Sequence, residues 1–382
     1  MGTRGFRRCT PATGLLLAML VWALPTGSRA VEISDRLSLH GFYTLDASLA
    51  DGADVHFQTN TSEPVVLEDG ELNFDNSVVG VQVDFTLTDS LRLTAQAVSS
   101  RQTDPNHSPT LEWAYLTYDL GRDLYLRGGR FKIPLLQGTE LRSVGYSRLW
   151  ARPVVPTSGA GGFNDYDGLE VIKRWRLGDY SLRFQGAYGI ADHHRDVIDS
   201  DDVKLISTRI ERDQSWVNLA LLHTRYDVSR ADGTSLIGED VEALMGSVEG
   251  ELTFGDVVVN LGYSFNDAEI IPDENMAYLS LGYRMNRLTP YLLYQNRSMT
   301  FEALERQPLP PGAPPPPPRL TPERDGKLNT RGLAVGLRYD LGASYAIKAQ
   351  IERQSNHDES YVGQPVIDES ATIYTLVFEG VF

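Results

Sequence analysis

The chain has almost no cysteine, since Cys9 is the only one among 382 residues. Cys9 lies ahead of the apolar run at 14–24, whereas a lipid-attachment cysteine would follow such a run. We therefore expect Cys9 to be removed together with the N-terminal segment that contains it. The mature protein would then have neither disulfides nor thiolate metal sites, although it enters an oxidising compartment.

Long apolar runs are also missing, because the one marked apolar run in the chain is short. "GLLLAMLVWAL" at 14–24 follows three arginines and precedes a small-residue site, "SRA" at 28–30. This arrangement is typical of a secretory signal peptide, so we expect residues 1–30 to be removed and residues 31–382 to form the mature protein. Beyond residue 30 no run approaches the roughly 18 apolar residues of a membrane helix. The mature chain is then either a soluble exported protein or one that crosses a membrane with strands, which carry a weaker hydropathy signal.

Basic residues are scarce as well. The chain has 35 Lys and Arg against 51 Asp and Glu, a formal net charge of -16, and removing the four arginines of the leader makes it -20. Such a balance argues against a nucleic-acid partner. The sequence contains no G-x-S-x-G nucleophile motif and no phosphate-binding glycine loop. We therefore predict no catalytic residues, no cofactor and no metal, and we expect that the protein is not an enzyme.

Alternation of apolar and polar residues with a period of two runs from about residue 37 to the end of the chain. In "VVGVQVDFTL" at 78–87, valines, a phenylalanine and a leucine occupy one face, and Gly80, Gln82 and Asp84 occupy the other. "VVVNLGYSF" at 257–265 and "YSLRFQGAY" at 180–188 follow the same pattern. Such segments indicate β-strands with one apolar face and one wet face.

The connections between these segments alternate in length. Seven short turns and eight longer polar connections join sixteen strands, while fourteen or eighteen strands remain open because four segments are less clearly periodic. This pattern predicts an all-β fold, a transmembrane antiparallel up-and-down barrel with turns at one rim and loops at the other. Tyr or Trp residues flank several short turns, as expected of a girdle at the membrane interface, although aromatic residues also favour strands in general.

The segment at 112–156 resembles the Gram-negative outer-membrane porins, in particular the broad set related to phosphate-selective porins. In these proteins a strand containing "AY" and a hydrophobic residue leads through a short turn to an arginine-rich strand that ends in "GR...P", before a long loop. The matching residues here are Ala114, Tyr115, Leu116, Arg127, Gly129, Arg130 and Pro134.

The resemblance implies that the third external loop, at 134–165, folds into the barrel and narrows the pore. The charged residues of this constriction would be Glu140, Arg142, Arg148, Arg152, Asp165 and Asp167, although solvated positions in an external loop are the alternative for each. Basic residues at the lipid midplane would cost about 2 to 4 kcal/mol each, so we place the following on the pore lining. They are Arg92, Arg127, Arg130, Arg183, Arg338 and Lys348.

Two features qualify the resemblance. Phosphate-binding members use a ladder of lysines, whereas this chain has only five lysines, so phosphate selectivity is not predicted and the net charge favours weak cation preference or none. The segment at 301–329 contains "QPLPPGAPPPPPR", which must adopt polyproline II and belongs in an external loop as a stiff spacer or an epitope.

The C-terminal segment "ATIYTLVFEGVF" predicts the closing strand of the barrel, paired with the strand near residue 40. Counting back from Phe382 places Tyr374, Leu376 and Phe378 in lipid, and Thr375 and Glu379 inside. A terminal phenylalanine resembles the signal that the barrel-assembly machinery recognises.

We therefore predict an outer-membrane porin of a Gram-negative bacterium that admits small polar solutes or ions by passive diffusion. The resemblance implies a homotrimer embedded in outer-membrane lipids. The alternatives are a barrel enzyme such as a lipid hydrolase, with a Ser and His pair on the outer face, and a soluble periplasmic β protein that binds a ligand.

Overall fold

A computed structural model describes residues 31–382 apart from segments at 58–64, 102–103, 105, 137–140, 142, 155–164, 193–197, 230–235, 269–272, 302–325 and 359–366. The predicted signal peptide lies outside the described residues. In the described part of the chain, no helix is long and apolar enough to cross a membrane.

Sixteen antiparallel strands form one closed barrel. Each strand pairs with the next along the chain, and the last pairs with the first, which confirms the predicted architecture and strand number. The strands are β1 (Leu37–Asp51), β2 (Val78–Thr88), β3 (Leu91–Ser100), β4 (Thr110–Asp119), β5 (Leu124–Lys132), β6 (Asp165–Leu177), β7 (Tyr180–Asp192), β8 (Ile198–Arg212), β9 (Ser215–Ser229), β10 (Leu236–Phe254), β11 (Val257–Ala268), β12 (Asp273–Tyr283), β13 (Leu288–Phe301), β14 (Gly326–Asp340), β15 (Tyr345–Asp358) and β16 (Ile367–Val381).

Four further short strands among the described residues lie outside this series. Val31–Ser34 and Leu72–Asn73 pair with β1, and Val55–Phe57 pairs with Val65–Leu67 in the first long connection. Short turns and longer connections alternate around the barrel as predicted, so the two rims differ: one carries turns and the other carries loops.

The barrel closes through β16 and β1. Leu49 is in register with Tyr374, and Phe42 is in register with Val381. The pairing continues to the last residue, because the Gly41 N–H donates to the Phe382 carbonyl at 2.8 Å and the Phe382 N–H donates to the Gly41 carbonyl at 2.9 Å. Closure leaves no strand edge to be satisfied by lipid.

Successive residues of each strand face the outside and the lumen of the barrel in turn. In β16, Tyr374 and Leu376 are 43% and 55% exposed on the outside, whereas Thr375 and Glu379 are buried inside, as predicted. The aromatic residues beside the short turns divide by the same rule. Tyr118, Trp175, Tyr180, Tyr283 and Tyr339 face outward and are exposed, but Tyr125 and Tyr291 face the lumen because they share faces with Arg127 and Leu293.

The wall of the barrel is lower on one side. Strands β2 to β5 contain 11, 10, 10 and 9 residues, whereas β8, β9 and β10 contain 15, 15 and 19. At about 3.3 Å per residue and a tilt near 45°, nine residues rise only about 21 Å along the barrel axis. We call this side of the barrel, formed by β2 to β5, the low wall.

Candidate functional site: a lumen narrowed by the third loop

The connection between β5 and β6 enters the barrel instead of extending from its rim. Its first residues pack on lumen-facing apolar side chains: Ile133 and Leu135 are buried in a cluster with Phe131, Leu222 and Met245. The Ser247 hydroxyl donates to the Leu135 carbonyl. The loop thus begins by covering the inner face of β5 to β10 near the loop rim.

The middle of the loop crosses to the opposite wall. A single 3₁₀ turn at Gly145–Ser147 is followed by Trp150, which is 6% exposed and packs on lumen-facing side chains of β12 to β14. The rings of Trp150 and Tyr278 meet edge to face with centroids 5.4 Å apart, a geometry that stabilises beyond area burial. The loop therefore spans the full width of the lumen.

Hydrogen bonds fix this crossing close to the turn rim. The Tyr146 hydroxyl donates to the carbonyl of Ala343 at 2.8 Å, and Ala343 lies in the short turn between β14 and β15. The Arg338 guanidinium donates to the carbonyls of Tyr146 and Arg148 at 2.9 and 2.8 Å. The loop consequently descends through the barrel to the turn-rim end.

A buried ion pair supports the same segment. Lys348 and Glu379 lie 2.6 Å apart with no exposed side-chain area. The Lys348 ammonium also donates to the carbonyls of Gly145 and Trp150, at 2.9 and 3.2 Å. A Cβ at Gly145 would overlap the Glu379 carboxylate and the Thr44 hydroxyl, so any larger residue would have to displace these groups.

Arg152 is a second attachment. Its guanidinium is 2% exposed and lies 3.5 Å from the Glu352 carboxylate. Burial lowers the pKa of Arg152, and the Glu352 carboxylate opposes that shift. Next to it, the Ala151 N–H donates to the Gln350 amide oxygen and to the Tyr291 hydroxyl, each at 3.1 Å. Arg152 therefore holds the loop against β15 and does not face water, and the Ala151 N–H holds it against β13 and β15.

A cavity of about 210 Å³ remains between the loop and the far wall. Arg148 and Trp150 line it from the loop, and Trp216, Glu249 and Glu251 line it from β9 and β10. Glu249 accepts a hydrogen bond from the hydroxyl of Tyr278. The passage thus has a guanidinium on one side and two carboxylates on the other, with an indole ring beside each, so its walls are charged and amphipathic.

The remaining predicted lining residues lie on inward faces at different depths. Arg127 forms an ion pair with Glu170 and stacks on Tyr115, with its guanidinium 4.8 Å from the ring centroid. Arg183 donates to Gln185 at 2.8 Å. Arg92 is exposed on the inward face of β3 near its short turn. Arg338 and Lys348 also face inward, but they hold the loop.

Three predicted positions differ from the structure. Arg130 and Asp167 are register partners on the outer face of β5 and β6, because Asp167 lies on the same face of β6 as the exposed Leu169. Arg130 and Asp167 form an ion pair at 2.7 Å. Asp165, two residues earlier, opens β6 on that same side. The reason is the strand period: Arg127 and Arg130 differ by an odd number of residues and face opposite ways. The ion pair lies at the loop-rim end, where charges on the lipid side cost little.

Two further constriction candidates, Glu140 and Arg142, lie outside the described residues. Sequence reasoning also missed the carboxylates that face the cavity, Glu249 and Glu251. It missed inward arginines as well, among them Arg174, Arg176, Arg209 and Arg297. The sequence signal that identifies such residues is the alternation of faces along a strand: a residue an even number of positions from an inward polar residue, such as Gln185 or Ser247, also faces inward.

No family model and no curated protein sequence matches the chain. Solved structures do match it. The trimer form of OmpT, an outer membrane protein of Vibrio cholerae, is 12% identical with a TM-score of 0.52, covering 91% of this chain and all of that one. The outer membrane channel DcaP of Acinetobacter baumannii is 14% identical with a TM-score of 0.54, covering 91% of this chain and 97% of that one.

The anion-selective porin from Comamonas acidovorans is 13% identical with a TM-score of 0.55, and the alignment covers 91% of this chain and all of that one. At such identities the likeness establishes the fold. The chain has the closed sixteen-stranded barrel of the outer-membrane porins, and the resemblance indicated by the sequence is confirmed at that level.

Proposed function

We propose that the protein is an outer-membrane porin, a channel through which small polar or ionic solutes diffuse passively. The observation that carries this proposal is the loop between β5 and β6, which crosses a polar lumen and leaves a charged passage beside it. A plug would be packed on all sides. Here the loop packs on two stretches of wall and leaves a cavity of about 210 Å³ against β9 and β10.

The mechanism requires no bond chemistry. The inner faces of the strands carry Gln, Ser, Thr and charged side chains that hold water, and the loop sets the size limit. Arg148 on the loop and Glu249 and Glu251 on the wall create a field across the passage. Such a field orients dipolar solutes and filters ions by charge, because solvent screening is weak in a narrow lumen.

The outer face opposes the soluble alternative. Large apolar side chains such as Leu169, Leu177 and Leu376 are 55% to 60% exposed there. Contiguous exposed apolar surface of this extent suits lipid and not water. Residence in the outer membrane, with export by the signal peptide at 1–30, follows as part of the proposal.

The enzyme alternative requires a serine and a histidine paired on the outer face. His357 lies there and pairs with Asp368 at 2.5 Å. The nearby Ser370 hydroxyl accepts a hydrogen bond from Arg353. Because a nucleophilic serine needs its hydroxyl bonded to the histidine, the geometry favours a channel.

We also propose that three copies associate through the low wall. Strands β2 to β5 are the shortest neighbouring group in the barrel, and their outer faces carry exposed Val81, Phe85, Leu93 and Leu116. Packing another protomer against this side would cover the apolar surface that a short strand presents to the headgroup region.

Purified protein added to a planar lipid bilayer should raise the current in discrete steps, and each inserted unit should close in three equal substeps at high voltage. The physical reason is that each barrel holds its own passage. Absence of steps, from protein whose gel mobility changes on boiling as expected of a folded barrel, would contradict the channel. If each inserted unit closed in a single step, the proposed trimer would be contradicted and the proposed channel would not.

Replacing Phe382 with alanine should reduce the amount of barrel in the outer membrane. We propose that Phe382 serves as the signal for the assembly machinery, in addition to packing on Gly41. The control is Gly41→Ala, which crowds the same ring and leaves the terminal residue intact. If both variants refold in detergent and show equal losses in cells, packing explains the effect and the assembly signal is disproved.

A further inference from the structure

Three arginines stand side by side on the lumen wall. Arg174 of β6 is the register partner of Arg183 in β7, and Arg183 is the register partner of Arg209 in β8. All three face the lumen, because they alternate with outward side chains such as Phe184 and Ile210. Directly opposed residues on antiparallel strands have Cα atoms about 4.5 to 5.5 Å apart. We name these residues the arginine row.

The stability of the fold does not explain the arginine row. Like charges directly opposed on neighbouring strands destabilise a sheet, and a wet inward face accepts any polar residue at these positions.

The row consists of arginines only, which distinguishes it from a general cationic surface. Lysines are placed elsewhere, with Lys132 and Lys348 buried in ion pairs and Lys173 on the outer face beside Trp175. The planar guanidinium binds carboxylate and phosphate through two parallel hydrogen bonds, which an ammonium group cannot do.

Few carboxylates share this wall. On the inward faces of β5 to β8, the described residues include five arginines and two glutamates. The five are Arg127, Arg174, Arg176, Arg183 and Arg209, and the two are Glu170 and Glu211. Each glutamate pairs with one arginine, Glu170 with Arg127 and Glu211 with Arg209. This part of the lumen therefore keeps a positive charge, although the whole chain carries a net charge of -16.

Aromatic rings orient two members of the row. The Arg174 guanidinium lies 5.3 Å from the ring centroid of Tyr125, and the Arg209 guanidinium lies 4.0 Å from that of Trp216. A ring under the face of a guanidinium holds the plane in position and leaves N–H groups at its edge to bind a ligand. Tyr125, which faces the lumen by its position in β5, supports Arg174 in this way.

The row is connected to the passage beside the loop. Trp216 supports Arg209 and also lines the cavity that Glu249 and Glu251 border. A solute that passes the loop therefore meets the row on the neighbouring strands. Glu249 and Glu251 lie on β10, where Arg284 lies 3.7 Å from Glu251, and the three arginines of the row lie on β6 to β8.

We propose that the arginine row is a binding site for small oxyanions that carry carboxylate or phosphate groups, and that it makes the channel prefer such anions. This inference rests on the proposed channel function. It reverses the weak cation preference that the net charge suggested, because the charge that a solute meets is local.

The test uses single channels of the full-length protein and the variant Arg174→Gln, Arg183→Gln, Arg209→Gln. Under a potassium chloride gradient, the reversal potential of the wild type should show anion preference, and that of the variant should shift toward cations. Citrate and inorganic pyrophosphate are then added separately as blockers. Their apparent dissociation constants should rise roughly tenfold or more in the variant, because several charge-assisted bonds are lost.

The matched control removes the same charge from the outer face: Arg212→Gln, Arg331→Gln, Arg353→Gln. These arginines alternate with lumen-facing residues of β8, β14 and β15, so the control should keep the wild-type selectivity and block. Gel mobility before and after boiling checks that both variants are folded.

The outcomes separate the two proposals. Block by citrate alone assigns carboxylates, block by pyrophosphate alone assigns phosphates, and block by both assigns the shared oxyanion chemistry. Conducting wild-type channels that neither anion blocks, or block that the row variant retains, would overturn the anion site while leaving the channel intact. Wild-type protein that does not conduct would contradict the proposed function itself.

Discussion

Deleting residues 140–160 should raise the single-channel conductance severalfold and admit larger neutral sugars. The deletion removes the 3₁₀ turn at Gly145–Ser147, the indole of Trp150 and the buried guanidinium of Arg152. These groups fill the lumen between the inner faces of β12 to β16 and the cavity beside β10. Conductance follows the narrowest cross-section, so the ring of strands would set the limit once the loop is gone.

A deletion of equal length in the proline-rich connection, residues 303–323, is the control. That segment belongs to an external loop by sequence, so its loss should leave conductance and sugar exclusion near the wild-type values. Liposome swelling with a series of sugars measures the size limit independently of ion current. An unchanged conductance in the 140–160 deletion, or an equal rise in both deletions, would show that the loop does not form the constriction.

The barrel was predictable because one physical rule governs its whole length. A strand that separates lipid from water must alternate, so the faces of β16 could be assigned by counting back from Phe382. The same rule explains the corrections. Arg130 was assigned to the lumen from its residue type, and aromatic residues beside short turns were assigned to the membrane interface. Counting along β5 instead places Arg130 outside and Tyr125, which lies beside such a turn, inside.

The path of the loop could not be read from the sequence. Residues 143–154 show no period of two, and their partners come from strands up to 203 residues away, as in the bond from Lys348 to Gly145. Such contacts depend on how the closed barrel positions β15 and β16 opposite the loop. The arginine row could be predicted from the sequence only in part. Its inward direction follows from parity, but its alignment across three strands depends on the register of two hairpins.

Replacing Lys348 with methionine should destabilise the barrel more than any other single substitution considered for this chain. The change leaves the Glu379 carboxylate, which has no exposed area, without its ion-pair partner. Breaking a buried pair in this way costs about 3 to 5 kcal/mol, since the remaining charge is neither solvated nor neutralised. The measurement is the denaturant midpoint of the refolded barrel, followed by gel mobility. Lys173→Met, on the outer face near a short turn, is the control and should shift the midpoint far less.

The double variant Lys348→Met, Glu379→Gln separates the two roles of this lysine. Because no charge is left buried, most of the lost stability should return. The bonds from Lys348 to the carbonyls of Gly145 and Trp150 remain absent, so the loop keeps fewer attachments and the open-channel current should stay noisier than in the wild type. If the double variant is no more stable than the single one, the ion pair is not what Lys348 contributes. If its current is as quiet as the wild type, Arg338 and Arg152 hold the loop without help from Lys348.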